Sequence, residues 1–425
     1  MDDLKAAATA ATRRGFLKTG LLGGAALAGS LASGRAMAEG DPVITEIQDW
    51  NRYPGDGVDA RPYGQPSQFE SHVVRKNVPW LTSDTISSIN FTPLHELEGI
   101  ITPNGLCFEG HHAGIAEIDR ANHRLMINGL VDKPLVFTMA DLKRFPGREN
   151  RVYFLECAAN TGMEWRGSQL NGCQYTHGMI HCVMYTGVRL KHILEEAGVK
   201  AAGSWVLAEG ADASAMTRSI PMEKALDDCM VAFAMNGEAL RPEQGYPIRL
   251  VVPGWEGNMW VKWLRRLEVG DQPWQQREET SKYTDLLANG KARRFTWKMD
   301  VKSVITSPQV PIVHGKGRTL VSGLAWSGSG TIKRVDVSID GGRNWHAARI
   351  DGPSLPMALH RFYYEFDWDG SEIFLQSRAI DESGFVQPTK DQLRAVRGEN
   401  SIYHNNGIQT WHVNKDGGVE NVEIS

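Results

Sequence analysis

The sequence predicts a mixed α+β domain followed by an all-β sandwich of the immunoglobulin type. Between about residues 96 and 272, short β-like runs alternate with short helical ones, the texture of an α+β layer architecture. From about residue 295 the apolar pattern changes to a two-residue alternation broken by turn signals, as expected for short sandwich strands. A polar, charged stretch at 273–294 separates the two textures and reads as a bridge.

The N-terminus comes first in chain order. "TRRGFLK" at 12–18 places Arg13 and Arg14 ahead of a Gly- and Ala-rich apolar stretch, and Ala36-Met37-Ala38 precedes Glu39. This is the charged region, apolar region and A-x-A site of an export signal, in its twin-arginine version. Residues 1–38 are therefore expected to be cleaved on export to the periplasm. The apolar part is too short and too rich in Gly and Ala to anchor the chain, and no later stretch is long and apolar enough to span a membrane. Residues 39–95, rich in Pro, Gly and Ser, read as an irregular lead-in packed on the body.

In the first domain, "HRLMING" (123–129) and "PIRLVVPG" (247–254) have strand character, and "MADLKRF" (139–145) is helical. "GVRLKHILEEAG" (187–198) spaces Val188, Leu190, Ile193 and Leu194 as one helical face, with Gly198 as a stop. "VYFLE" (152–156) is a strand leaving the core for a turn, where Asn160 and Gly162 suit positive φ. In the second domain, "TIKRVDVSIDGG" points Val335, Val337 and Ile339 inward and Asp336, Ser338 and Asp340 outward. Asp340-Gly341 marks a hairpin, and "RFYYEFDWD" and "IFLQSRAID" are further strands.

A chain of 425 residues exceeds one core. Its 46 Lys and Arg against 50 Asp and Glu leave a net charge of −4, so no basic face for nucleic acid is indicated. The five cysteines, at 107, 157, 173, 182 and 229, include no C-x-x-C and no C-x-x-C-H. Zinc ribbons, thioredoxin-like sites and covalent haem are thereby unsupported. An odd count leaves one cysteine over, and Cys157, at the end of its strand, is the candidate. It can be a small hydrophobe, half of a disulfide, a nucleophile or a metal ligand. His177 and His181, at i and i+4, lack a third ligand and read as structural.

Several separated motifs resemble the sulfite oxidase family of molybdenum enzymes, from about residue 96 to the C-terminus. That family binds molybdenum through the cysteine of a Cys-Ala-Gly-Asn-Arg-Arg turn; here the turn reads Cys157-Ala158-Ala159-Asn160-Thr161-Gly162. The resemblance implies Cys157 as the protein's ligand to molybdenum, the remaining ligands coming from molybdopterin and oxo groups. A thiolate suits such a soft, high-valent centre.

Cofactor contacts follow from the same resemblance. The family's Phe-Val-Arg-Asn-His becomes Phe108, Glu109, Gly110, His111 and His112. Its Phe-Glu-Gly-x-Asp gives Asp212, and a pterin-contacting arginine gives Arg249, with Gln244 at a family histidine. Gly-Ala-Arg-His-Val-Lys-Trp-Leu gives Trp260, Val261 and Lys262. Cations such as Arg249 and Lys262 suit the cofactor's phosphate. The family's active-site tyrosine corresponds to Tyr283, although its spacing is longer here, and Arg166 in "EWRG" is a candidate to hold a substrate oxygen.

The departures concern substrate. Family arginines that bind sulfite are replaced by Gly110, Thr161, Gly162 and Met259. Each lost charge-assisted contact costs about 1.5–3 kcal/mol, and Gly110 and Gly162 are expected to open the pocket. This fits a branch of the family that oxidises a sulfane sulfur held on a carrier protein's cysteine, with oxygen from water. Oxidation of free sulfite is the alternative, and a non-catalytic exported binding subunit is the second. Having no haem motif of its own, the chain is expected to pass electrons to a c-type cytochrome subunit. The C-terminal sandwich implies a homodimer or heterotetramer.

Overall fold

The computed structural model describes residue 64 and residues 66–77, 88–308 and 315–424; the signal segment and much of the lead-in lie outside the described residues. The first domain is built on two five-stranded sheets. One runs Glu238–Ala239, Met230–Met235, Ile180–Arg189, Arg148–Glu156, with Arg249–Val251 also paired to Met230–Met235. The other runs Leu135–Thr138, Arg124–Gly129, Leu264–Gly270, Trp205–Gly210, Thr217–Pro221, and only its Arg124–Gly129 to Leu264–Gly270 pairing is parallel. Buried Leu125, Val183, Ile193, Val231, Leu250 and Leu267 fill one core between these strands and their short helices.

The sandwich follows as predicted. Lys302–Ser307, Gly317–Trp326, His360–Trp368 and Arg349–Asp351 form one sheet. His346–Ala347, Ile332–Ser338, Ile373–Asp381, Thr410–Val413 and Val419–Val422 form the other. Val304, Trp326 and Phe362 meet Val335, Leu375 and Trp411 between them, and Phe154 and Cys182 of the first domain join the same cluster. The two domains thus share apolar packing at the strand that leads to Cys157.

Four local expectations are corrected. Residues 187–198 are not one helix: Val188 lies in the strand Ile180–Arg189, and the helix is Leu190–Ala197, stopped by Gly198 at φ 70°. A half-buried strand and a helix share apolar residues, so spacing alone runs them together. After Cys157 the left-handed residue is Thr161, at φ 66°, and the 3-10 turn Gly162–Arg166 starts behind it. Asp336 and Ser338 are buried rather than outward; Arg334 and Arg378 close over the Asp336 carboxylate. Finally, the lead-in ends in structure: Lys76–Asn77 pairs with Ser88–Phe91, which in turn pairs with Gly110–His111. Its polar composition hid a strand held by one wall of the site.

Candidate functional site

A cavity of about 260 Å³ opens where these elements converge. Phe108, Glu109, Gly110, His111, His112, Cys157, Asp212, Gln244, Arg249, Trp260, Val261, Lys262 and Tyr283 all line it. Arg166 does not. It is exposed at the far end of the 3-10 turn, which carries it away from the cavity, so the expectation that it holds a substrate oxygen is corrected.

Cys157 follows the last residue of the strand Arg148–Glu156, and its backbone N–H donates to Met179 O at 3.0 Å. Burial pushes its thiol up to about 11. The thiol is therefore protonated at neutral pH unless a cation replaces the proton. The second domain clamps its turn. Glu156, fully buried, accepts from Lys302 Nζ at 2.9 Å, Trp326 Nε1 at 2.6 Å and Asn160 Nδ2 at 3.0 Å. His404 N–H donates to Ala158 O at 2.8 Å, and Asn405 Nδ2 to Thr161 O at 3.2 Å.

Arg249 is 2% exposed, yet its guanidinium hydrogen bonds go to Gln244 O, Gln244 Oε1 and Trp260 O, and its Nε has no partner. Burial lowers its pKa. Lys262 Nζ similarly donates only to the carbonyls of Gly110 and Glu243, at 2.8 and 3.0 Å. Burial first, and Arg249 second, push that ammonium down to about 7. Two neighbouring cations held by carbonyls are costly unless an anion completes them. The donors, the orphaned Nε and the thiol fit a phosphate-bearing molybdenum cofactor.

The remaining wall is polar and internally braced. Burial opposes charge on Glu109, but His111 at 3.1 Å, Arg75 at 3.3 Å and Asn90 at 2.9 Å outweigh it and hold its carboxyl below the usual range. Gln244 Nε2 donates to Phe108 O at 2.9 Å. Trp260 Nε1 donates to Trp255 O at 2.9 Å. Asp212 accepts from Met216 N–H at 3.0 Å and from Ser214 Oγ. Tyr283 adopts φ 54°, and its hydroxyl lies 3.1 Å from His112 Nε2. Burial, then Cys157, push the phenol well above its ordinary value; burial keeps His112 below its own. Phenol and imidazole are therefore both neutral across their shared hydrogen bond.

Sequence reasoning missed Ile402, Tyr403 and Lys282, which also line the cavity. The first two lie in an irregular segment with no motif, and only domain packing delivers them. It also set His181 aside, although His181 lines the cavity with its Nε2 3.2 Å from Tyr185 OH. His177 ends the short helix Cys173–His177 and His181 sits on the next strand, so the pair does not share a helix. Among the described residues no cluster of three His, Cys, Asp or Glu could hold a metal. Cys107, Cys157, Cys182 and Cys229 form no disulfide.

Comparison with known proteins agrees with this geometry. Residues 112–278 match the oxidoreductase molybdopterin binding domain and 293–411 the Mo-co oxidoreductase dimerisation domain. The chain is 31% identical to sulfite oxidase of Gallus gallus over 378 residues, covering 82% of each protein. Mitochondrial sulfite oxidase of Mus musculus is also 31% identical, over 73% of this chain, which spans 62% of that protein. The structure of the sulfane dehydrogenase SoxCD from Paracoccus pantotrophus superimposes with a TM-score of 0.87 at 65% identity, covering 91% of this chain and 99% of the other.

Proposed function

The chain belongs to the sulfite oxidase family of molybdenum oxidoreductases, and on that premise we propose that it oxidises a sulfane sulfur carried on a partner protein's cysteine. The observation that carries this reading is the missing anion site. Around Cys157 the family's sulfite-binding arginines are absent; Gly110 faces open space, and Ile402 stands beside Gly162. A free dianion would lose its water there without charged donors to replace it. A terminal sulfur on a protein arm carries far less charge and suits the lining better. The 65% identity to a sulfane dehydrogenase supports the same choice.

In this reading Cys157 holds the metal, and Arg249 and Lys262 hold the cofactor's phosphate. When bound, the molybdopterin centre supplies two-electron oxidation of sulfur, with oxygen drawn from water. The chain's own residues manage protons and position. Cys157 surrenders its proton on ligation. Tyr283 keeps its proton and directs a hydrogen bond into the site. Neutral His112, whose Nδ1 is buried without a partner, is placed to take a proton released from water. Electrons leave to a c-type cytochrome subunit. The 293–411 domain supports a homodimer or, with that subunit, a heterotetramer, and the twin-arginine segment supports a periplasmic location.

The test is steady-state turnover of molybdenum-loaded enzyme with a c-type cytochrome as acceptor. Turnover with a persulfidated protein thiol, and a far higher KM for free sulfite, is the expected result. Fast sulfite oxidation at low KM would establish a sulfite dehydrogenase instead.

A further inference from the structure

Residues 401–406 cross from the sandwich to the turn that carries Cys157 and form a strap along the cavity. Several of its anchors lie outside the strap. Ser401 Oγ donates to Asp285 at 2.6 Å, and His404 Nε2 contacts buried Glu256 at 3.0 Å. His404 N–H reaches Ala158 O and Asn405 Nδ2 reaches Thr161 O, while Asn406 Nδ2 donates to Val301 O at 3.1 Å. Glu256 is itself held by Arg218 at 3.1 Å, and that guanidinium lies over the Tyr283 ring at 5.4 Å. A braced strap of this kind places its side chains with little freedom.

Its position has a direct consequence at residue 162. A Cβ on Gly162 would lie 2.6 Å from Ile402 O, closer than real Cβ contacts allow. Gly162 therefore does not open the pocket, as its small size suggested. The strap backbone already occupies the space through which a side chain would leave that position. Ile402 lines the cavity and remains 51% exposed. The strap excludes an arginine and substitutes an apolar surface. Of the three Lys and Arg side chains lining the cavity, Arg249 and Lys262 serve the cofactor as assigned above. Lys282 is exposed, where solvent screens its charge.

We propose that Ile402 is a specificity-determining residue, which offers a free oxyanion no donor and packs against a less charged, sulfur-bearing arm. The assignment rests on the sulfane reading above and adds to it the element that enforces the choice. Sulfur and its methylene neighbours are polarisable and pack well on a branched aliphatic chain, whereas an oxyanion needs donors that isoleucine lacks.

The experiment compares molybdenum-loaded wild type, Ile402→Arg and Ile402→Ala, since a half-exposed side chain tolerates replacement. The kinetic probes are sulfite and a persulfidated protein thiol, and sulfate binding is measured by calorimetry. Ile402→Arg is expected to lower the KM for sulfite by about tenfold or more, to raise the persulfide KM, and to create sulfate binding that wild type lacks. Ile402→Ala is expected to raise the persulfide KM by about threefold to tenfold and leave the sulfite KM unchanged. If both variants keep both KM values within about twofold and sulfate binding is unaltered, Ile402 has no such role. That outcome leaves the sulfane reading standing if wild type still prefers persulfide. Fast wild-type turnover of sulfite at low KM would remove both.

Discussion

Arg249 and Lys262 show how a side chain can be costly on its own and useful with a ligand. Arg249 is buried without an acidic partner, so Arg249→Met should leave the cofactor-free protein as stable as wild type or more so. The same change should weaken cofactor binding by about 1.5–3 kcal/mol, measured as loss of molybdenum on dilution or chelation. Lys262 adds a pH dependence. In the cofactor-free protein its ammonium is pushed down to about 7, and a bound phosphate would raise it. Binding therefore takes up a proton: the Lys262 contribution is fully present below pH 7 and fades as pH rises above it. Reconstitution of cofactor-free protein should weaken across that window, and Lys262→Met should flatten the dependence. These two residues were legible because they sit in contiguous runs resembling family motifs. Arg166 was misplaced because its direction depends on the left-handed Thr161 and the 3-10 turn behind it, which sequence does not signal.

Among elements, the strand Arg148–Glu156 is paired along its length with Ile180–Arg189 of its own domain, and the sandwich fastens its end and turn. The buried pair Lys302–Glu156, at 2.9 Å, is the main fastening. Lys302→Met should destabilise the protein by about 3–5 kcal/mol, because it leaves the Glu156 carboxylate buried without its cation. Adding Glu156→Gln should restore most of that loss, and chemical denaturation of the single and double variants measures both. A Lys302→Met variant as stable as wild type would show that the pair does not fasten the turn. The strap at 401–406 is the counterpart from the other end of the chain. Nothing in "ENSIYHNNG" marks it as part of a site, since its role comes from where the sandwich sets it down. The strand pattern itself was legible in the sandwich, from "VDVSID" to "IFLQSRAID". The outward assignment of Asp336 failed because two arginines cover that face, and the Arg378 contact forms only when Ile332–Ser338 meets Ile373–Asp381.

At the scale of the whole molecule, the division of labour follows from the two domains. The α+β domain supplies the cysteine and the cofactor cradle, and the sandwich supplies Lys302, the strap and the match to a dimerisation domain. Purified protein is accordingly expected to sediment as a dimer, or as a larger assembly with its electron-accepting subunit. A monomer under all conditions would oppose that expectation. The order of the domains and the place of the cysteine were readable along the chain. The cavity was not, because its walls come from residues 89 to 403 and exist only after the domains pack. The most direct measurement is of the metal at Cys157: molybdenum content and Mo-edge X-ray absorption of wild type and Cys157→Ser, alongside turnover. The expected result is stoichiometric molybdenum in wild type, with one sulfur neighbour lost in Cys157→Ser and turnover reduced at least about 100-fold. Molybdenum-free wild type, or a sulfur shell and turnover unchanged by Cys157→Ser, would contradict Cys157 as the protein's ligand to the catalytic metal.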